Sequence, residues 1–345
     1  MITVKKEGIV LEPTSLTFEN KSVFNPACIE VNGEIHLFYR ATGENNTSSF
    51  GYCQLKTPTE ALKRNSEPII SPFGPSELVG IEDPRIVKIE DTFFITYTAY
   101  DGINALGALI TSMDLKSFKR YGILVPKFTY NEFNSILKKC FGVKDKYLRF
   151  VKFLHKRVGK ETGDELFIWD KNVVFFPRKI NEKFAFLHRI YPDIQISYFS
   201  SFDDLTEEYW INFLQKIKDF TVLESKFSFE ASYIGSGCPP IETSEGWLLI
   251  YHGVEDTKDG YVYHACAALL DLKNPTIEIG RLPYPLFSPE LIWEKIGSVN
   301  NVVFPTAAIL IEDRLYIYYG AADARIGVAS VSLNDLVYEI KNSSL

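Results

Sequence analysis

A proline followed about a dozen residues later by a run of apolar and aromatic residues recurs five times along this 345-residue chain. The copies are Asn25-Pro26 with Leu37-Phe38-Tyr39, Asp83-Pro84 with Phe94-Ile95-Thr96-Tyr97, Phe176-Pro177 with Phe184-Ala185-Phe186-Leu187, Pro239-Pro240 with Leu248-Leu249-Ile250-Tyr251, and Phe304-Pro305 with Tyr316-Ile317-Tyr318-Tyr319. A turn signal lies inside each: Asn32-Gly33, Glu90-Asp91, Asn181-Glu182, Ser244-Glu245-Gly246 and Glu312-Asp313. Each copy therefore reads as a hairpin. The prolines stand 58, 93, 63 and 65 residues apart. One small sheet cannot bury both faces alone, so repeats of this length point to blades packed around an axis. The expected fold is all-β, a single five-bladed β-propeller over residues 1–345.

Segments such as Ser49–Leu55, Ala105–Ser112 and Tyr263–Asp271 follow the hairpins and read as third strands. The long gap between the second and third prolines marks a partly helical insertion at about 127–168. There Phe133, Ile136, Leu137 and Cys140 keep helical spacing. The cations Lys138, Lys139, Lys144, Lys146, Arg149, Lys152, Lys156, Arg157 and Lys160 accompany them. This basic excursion is expected to be solvated, to contact a second subunit in a homo-oligomer, or to cover a site. A second helical period, Leu205, Tyr209, Trp210, Phe213 and Ile217, is expected to pack rather than to function.

A hydrophobic content of 46% is ample for a core, and the net charge of −7 disfavours nucleic acid without excluding a local pocket for a small anion. The first eight residues lack an apolar stretch, and no run approaches the ~20 apolar residues of a membrane span, so a cytoplasmic protein is expected. Five cysteines without a CxxC pair argue against a disulfide framework and a zinc site.

The ends of the repeats carry polar residues that a propeller would bring to its axis. These are Asn25 and Arg40; Glu82, Asp83 and Asp101; Lys171, Asn172, His188 and Arg189; His252 and Asp256; and Asp323. The motifs Gly80-Ile-Glu-Asp-Pro-Arg85, Tyr97-Thr-Ala-Tyr-Asp101, Lys171-Asn-Val-Val-Phe-Phe-Pro177, Leu187-His-Arg189, Gly246-Trp-Leu-Leu-Ile-Tyr-His-Gly253 and Tyr319-Gly-Ala-Ala-Asp323 run in order through the chain. Together they resemble glycoside hydrolase family 130, whose members are five-bladed propellers that phosphorolyse or hydrolyse β-mannosides with inversion.

The resemblance implies Asp83 as general acid, passing its proton through a sugar hydroxyl. That role asks for a carboxyl protonated near neutral pH, and Glu82 beside it is expected to raise its pKa. The ordinary alternative is that Asp83 caps the turn before Pro84. Phosphorolysis needs no base, only cations that hold phosphate in line beneath the anomeric carbon. The resemblance places that clamp at Lys171, Arg189 and His252, with Asn172 as an extra donor. The glycone falls to Asn25, Arg40, Glu82, Asp83 and Asp323, with Asp101 and His188 as further contacts and Tyr100, Tyr191 and Tyr263 as sugar platforms. The reaction expected is release of mannose 1-phosphate from a β-linked mannoside, with inorganic phosphate as co-substrate and no metal or other cofactor.

Departures from the family pattern stand at Arg178, Ile190 and Tyr233. They keep open a β-mannosidase that uses a glutamate base, for which Glu230 and Glu255 are the candidates. A non-catalytic carbohydrate-binding propeller is the alternative from another class.

Overall fold

The computed structural model describes residues 2–139, 146–149 and 166–343. Strands dominate, in three hydrogen-bonded sheets of four, twelve and five strands, and single parallel bridges divide the twelve-stranded sheet so that five antiparallel groups can be described. The first strand, β1 (Lys5–Leu11), belongs to the last group. The first group is β2 (Ser22–Val31), β3 (Glu34–Thr42), β4 (Ser48–Thr57) and β5 (Glu60–Arg64). The second is β6 (Gly80–Ile89), β7 (Thr92–Tyr100), β8 (Ala105–Ser112) and β9 (Phe118–Ile123). The third is β10 (Asp170–Phe175), β11 (Phe184–Ile190), β12 (Ile194–Phe199) and β13 (Thr221–Leu223). In the fourth, β14 (Tyr233–Ser236) and β15 (Ile241–Thr243) both pair with β16 (Gly246–Thr257), followed by β17 (Gly260–Leu270) and β18 (Glu278–Arg281). The fifth, β19 (Val303–Ile311), β20 (Arg314–Ala321) and β21 (Arg325–Ser332), takes β1 as its outer strand. The all-β expectation holds, and Asn32, Glu90, Asn181 and Glu312 adopt the left-handed conformation that tight hairpin turns require.

Five apolar clusters lie between successive groups, including one between the fifth and the first that joins Ile326 and Val328 to Leu37 and Tyr39. Backbone contacts follow the same order. Ser48 bridges Gly80, Leu106 bridges Asp170, and Tyr263 bridges Val302. Ile234 N–H donates to Pro192 O at 3.0 Å, and Val23 N–H donates to Ala324 O at 3.1 Å, linking the fifth group to the first.

The inner strands are interrupted at matching places. Register shifts fall between Phe24 and Ala27, Glu82 and Arg85, Lys171 and Val174, and Pro305 and Ala307. These are β-bulges, which re-aim a side chain out of the ladder. In the third group the bulge is at Asn172-Val173, while Pro177 follows the strand. The proline phrase is therefore out of register there, which accounts for part of its long gap.

A second repeat is built from residues far apart in sequence. On the central strand of four groups a buried tyrosine donates to a buried glutamate: Tyr39 to Glu19 at 2.7 Å, Tyr97 to Glu77 at 2.5 Å, Tyr251 to Glu230 at 2.5 Å and Tyr319 to Glu294 at 2.6 Å. A cation from the outermost strand completes each unit: Arg64, Arg120, Arg281 and Lys6. In the third group the corresponding position is His188, held by Asp170 at 2.8 Å and Ser197 at 3.0 Å. Buried charges persist only when paired in this way.

The described residues of the insertion include a helix, Tyr130–Lys138, with a Thr129/Glu132 capping box, and residues 146–149. Phe133 and Leu137 pack into the cluster that holds Trp210 and Phe213 of the helix Glu207–Gln215, while Lys138, Lys139 and Arg149 face solvent. Cys140, Lys144, Lys152, Lys156, Arg157 and Lys160 lie outside the described residues. The second helical period packs as expected. Among the described residues no helix is long and apolar enough to cross a bilayer.

Candidate active site

The bulges and the ends of the central strands open onto one cavity of about 200 Å³. Asn25, Asp83 and Asn172 reach it from bulges with φ of 46°, 51° and 56°, and Asp323 reaches it from the turn after β20 with φ of 48°. Left-handed backbone at non-glycine residues costs of order 1–3 kcal/mol each, so its concentration at one cavity marks a site that the fold over-determines. Arg40 and Arg189 arrive from the second strands of their groups, and Glu82 and Lys171 from the residues just before the bulges.

Two electrostatic halves result. In one, Arg40 donates to Glu82 at 2.6 Å and to Asp83 at 3.4 Å, Asn25 donates to Asp83 at 2.8 Å, and Lys171 reaches Glu82 at 3.3 Å. In the other, Arg189 donates to Tyr191 Oη at 2.6 Å and to His252 Nε2 at 3.0 Å. Its guanidinium lies 4.1 Å from the Tyr191 ring centre and 5.0 Å from that of Tyr233. Among the described residues no carboxylate stands within ion-pair distance of Arg189. A buried guanidinium held only by neutral partners at the wall of a cavity is set to receive an anion.

The carboxyls divide in the same way. Burial pushes Asp83 upward, but the Arg40 and Arg85 charges and the Asn25 amide outweigh it and hold the group below the ordinary carboxylate range. Asp323 has no such donors. Burial raises it to about 7, against the pull of Arg40 and with the help of the Asp83 and Glu82 charges. In the unloaded site the carboxyl that carries a proton near neutrality is thus Asp323, opposite to the expectation for Asp83.

A family model for glycoside hydrolase family 130, described as beta-1,4-mannooligosaccharide phosphorylase, matches residues 7–171 and 157–342. The chain belongs to glycoside hydrolase family 130. A 1,2-beta-oligomannan phosphorylase of Thermoanaerobacter sp. (strain X514) is 32% identical, over 98% of this chain and 100% of its own length. A beta-1,2-mannobiose phosphorylase of the same organism is 34% identical over 91% of each. The solved structure of a beta-1,2-mannobiose phosphorylase from Listeria innocua with beta-1,2-mannobiose superimposes with a TM-score of 0.73, at 22% identity over 99% of this chain and all of that one. At that identity the likeness speaks for the fold.

In this family 130 protein the cavity gathers Asn25, Arg40, Glu82, Asp83, Lys171, Asn172, Arg189, Tyr191, Tyr263 and Asp323 from the expected set. Others lie elsewhere. Asp101 accepts from the Ile103 and Asn104 N–H groups at 2.8 and 2.6 Å, closing the β7–β8 turn as an Asx motif. His188 is wholly buried in its Asp170–Ser197 pair, on the face of β11 opposite Arg189. His252 sits behind Arg189, fully buried. Burial and then the Arg189 and Arg85 charges push its pKa well below the usual histidine value. Neutral, with Nε2 accepting from Arg189, it backs the guanidinium and does not line the cavity.

Tyr100 donates to Gly102 O, and Glu230 is consumed by Tyr251 and Arg281. Glu255 pairs with His264, and Asp256 is exposed. Arg178 pairs with Glu242 on the surface. Sequence reasoning missed Phe304 and Val302 as cavity walls and treated Tyr233 only as a departure, although it lines the cavity too. The phrase Phe304-Pro305 at the head of a repeat was the available signal.

Proposed function

We propose that this chain is an inverting phosphorylase of β-mannosides that releases mannose 1-phosphate, with β-1,2-linked mannosides as its first substrates. The observation that carries the reading is Arg189, a cavity-lining guanidinium with neutral partners only, across from a Glu82–Asp83–Asp323 wall. Relatives whose full lengths this chain matches carry β-1,2 names, which supports the linkage.

In this reading Arg189, Lys171 and Asn172 hold phosphate, and a phosphate oxygen attacks the anomeric carbon from the face opposite the leaving sugar. Arg40, Asn25 and Asp323 fix the glycone hydroxyls. Asp83 supplies the proton that the departing oxygen takes, relayed through a sugar hydroxyl. Its pKa is depressed in the unloaded site by Arg40 and Arg85, and the negative charge of a phosphate dianion held nearby by Arg189 and Lys171 raises it toward the working range. Inorganic phosphate is the only co-substrate required.

The hydrolytic reading lacks its base, since Glu230 and Glu255 lie away from the cavity in ion pairs of their own. The five apolar clusters, the ring of backbone links and the recruitment of β1 to the last group support a single closed five-bladed propeller. The test is incubation with β-1,2- and β-1,4-mannobiose, with and without phosphate. Sugar 1-phosphate that appears only with phosphate supports the proposal. Free mannose independent of phosphate, or no turnover on either disaccharide, overturns it.

A further inference from the structure

The guanidinium of Arg189 owes its position to Tyr191, which both accepts from it at 2.6 Å and stacks on it at 4.1 Å. Tyr191 opens the turn from β11 to β12, and Asp193 ends it. Gln195 ties the turn's base by accepting from Ile190 N–H at 2.7 Å and donating to Ile190 O at 3.1 Å. The far side of the turn is gripped by the insertion. Tyr147 donates to Asp193 Oδ2 at 2.7 Å, Lys146 reaches the same oxygen at 2.5 Å, and Gln195 donates to Tyr147 Oη at 3.4 Å. Asp193 has no exposed side-chain surface, and Tyr147 is 1% exposed. A buried carboxylate deprived of its donors must neutralise or move, and Asp193 shares its turn with Tyr191, two residues away.

We propose that Lys146 and Tyr147 of the insertion are positioning residues for the anion clamp, holding Asp193 so that Tyr191 keeps Arg189 aimed into the cavity. The inference rests on the phosphorylase reading and assigns to residues 146–147 of the insertion a hold on the site of one substrate. Lys146 and Tyr147 touch neither the cavity nor the carboxylate wall, so their loss acts on phosphate and spares the sugar. A clamp displaced by even ~1 Å loses a large part of its effect, which sets the expected change at ~10-fold.

The experiment compares wild type with Tyr147→Phe and Lys146→Met, measuring KM for phosphate, KM for the mannoside and kcat. Phosphate affinity by titration calorimetry without sugar provides a reading independent of turnover. Tyr147→Phe keeps the ring in its apolar cluster and is expected to fold. The expected result is a rise of ~10-fold in the KM and Kd for phosphate, with the mannoside KM within about twofold of wild type. In an Asp193→Asn background, Tyr147→Phe is expected to add much less, because the charge it satisfied is gone. Unchanged phosphate constants, or a parallel rise in both KM values together with a lowered Tm, would overturn the proposal. Wild-type protein that neither turns over with phosphate nor binds it would instead overturn the phosphorylase reading, and the inference with it.

Discussion

Asp323 offers a test in which a single carboxyl sets a measurable slope of stability with pH. Its folded value of about 7 lies above its ordinary 3.8, so between those limits the folded protein holds a proton that the unfolded chain has released. The unfolded state binds fewer protons, and stability therefore falls as pH rises through this window and levels off above it. A span of about three pH units at ~1.36 kcal/mol each sets an upper figure of ~4 kcal/mol. The side chain borders a solvent-filled cavity, which brings the expected loss nearer ~2 kcal/mol. Asn at this position keeps the shape and cannot ionise. Urea denaturation of wild type and Asp323→Asn at intervals from pH 5 to 8, in phosphate-free buffer, isolates the term. The variant is expected to gain ~2 kcal/mol on wild type across the range, with most of the gain between about pH 5 and 7 and little above about pH 7.5. A difference between the two proteins that stays constant with pH would refute the burial argument and the assignment of the resting proton to Asp323.

Three further outcomes follow from the same geometry. Arg189→Lys removes a fork that holds two partners and a stacked ring, and at ~1.5–3 kcal/mol per charge-assisted bond it is expected to raise the phosphate KM by at least ~10-fold while sparing the mannoside KM, read by initial rates at varied phosphate. Asp83→Asn is expected to lower kcat by ~10²–10⁴ with the Tm retained, and a near-normal rate would place the acid elsewhere. Glu230→Gln removes the buried charge shared by Tyr251 and Arg281, leaving Arg281 its Glu278 ion pair and the Glu224 carbonyl, and is expected to cost ~3 kcal/mol in denaturant unfolding with both KM values unchanged, because the pair lies outside the cavity.

Legibility in the sequence followed the range over which each feature is encoded. The hairpins were readable because turn residues and aromatic runs are neighbours, and the repeat was readable where proline stands in the bulge, at Asn25-Pro26 and Asp83-Pro84. The equivalent bulge at Asn172-Val173 has no proline, so the repeat there is marked by Pro177, beyond the strand. His188 and Arg189 were both placed at the site, whereas in a strand adjacency sends side chains to opposite faces. The register shows His188 occupying the place that Tyr39, Tyr97, Tyr251 and Tyr319 hold in the other groups. Those tyrosines belong to units whose cations come from as far as 288 residues away, as with Lys6 and Glu294, and no local pattern announces them. The proton state of Asp83 was misjudged for the same reason. Glu82 is its neighbour in sequence, but the groups that govern it are Arg40, 43 residues away, and Asn25, 58 residues away. Residue types at the ends of strands are enough to say that a cavity is polar. Whether a carboxyl in it is an acid or an anion is a sum over charges that only the folded packing of the strand groups brings within reach, and in this protein that sum changes sign between Asp83 and Asp323.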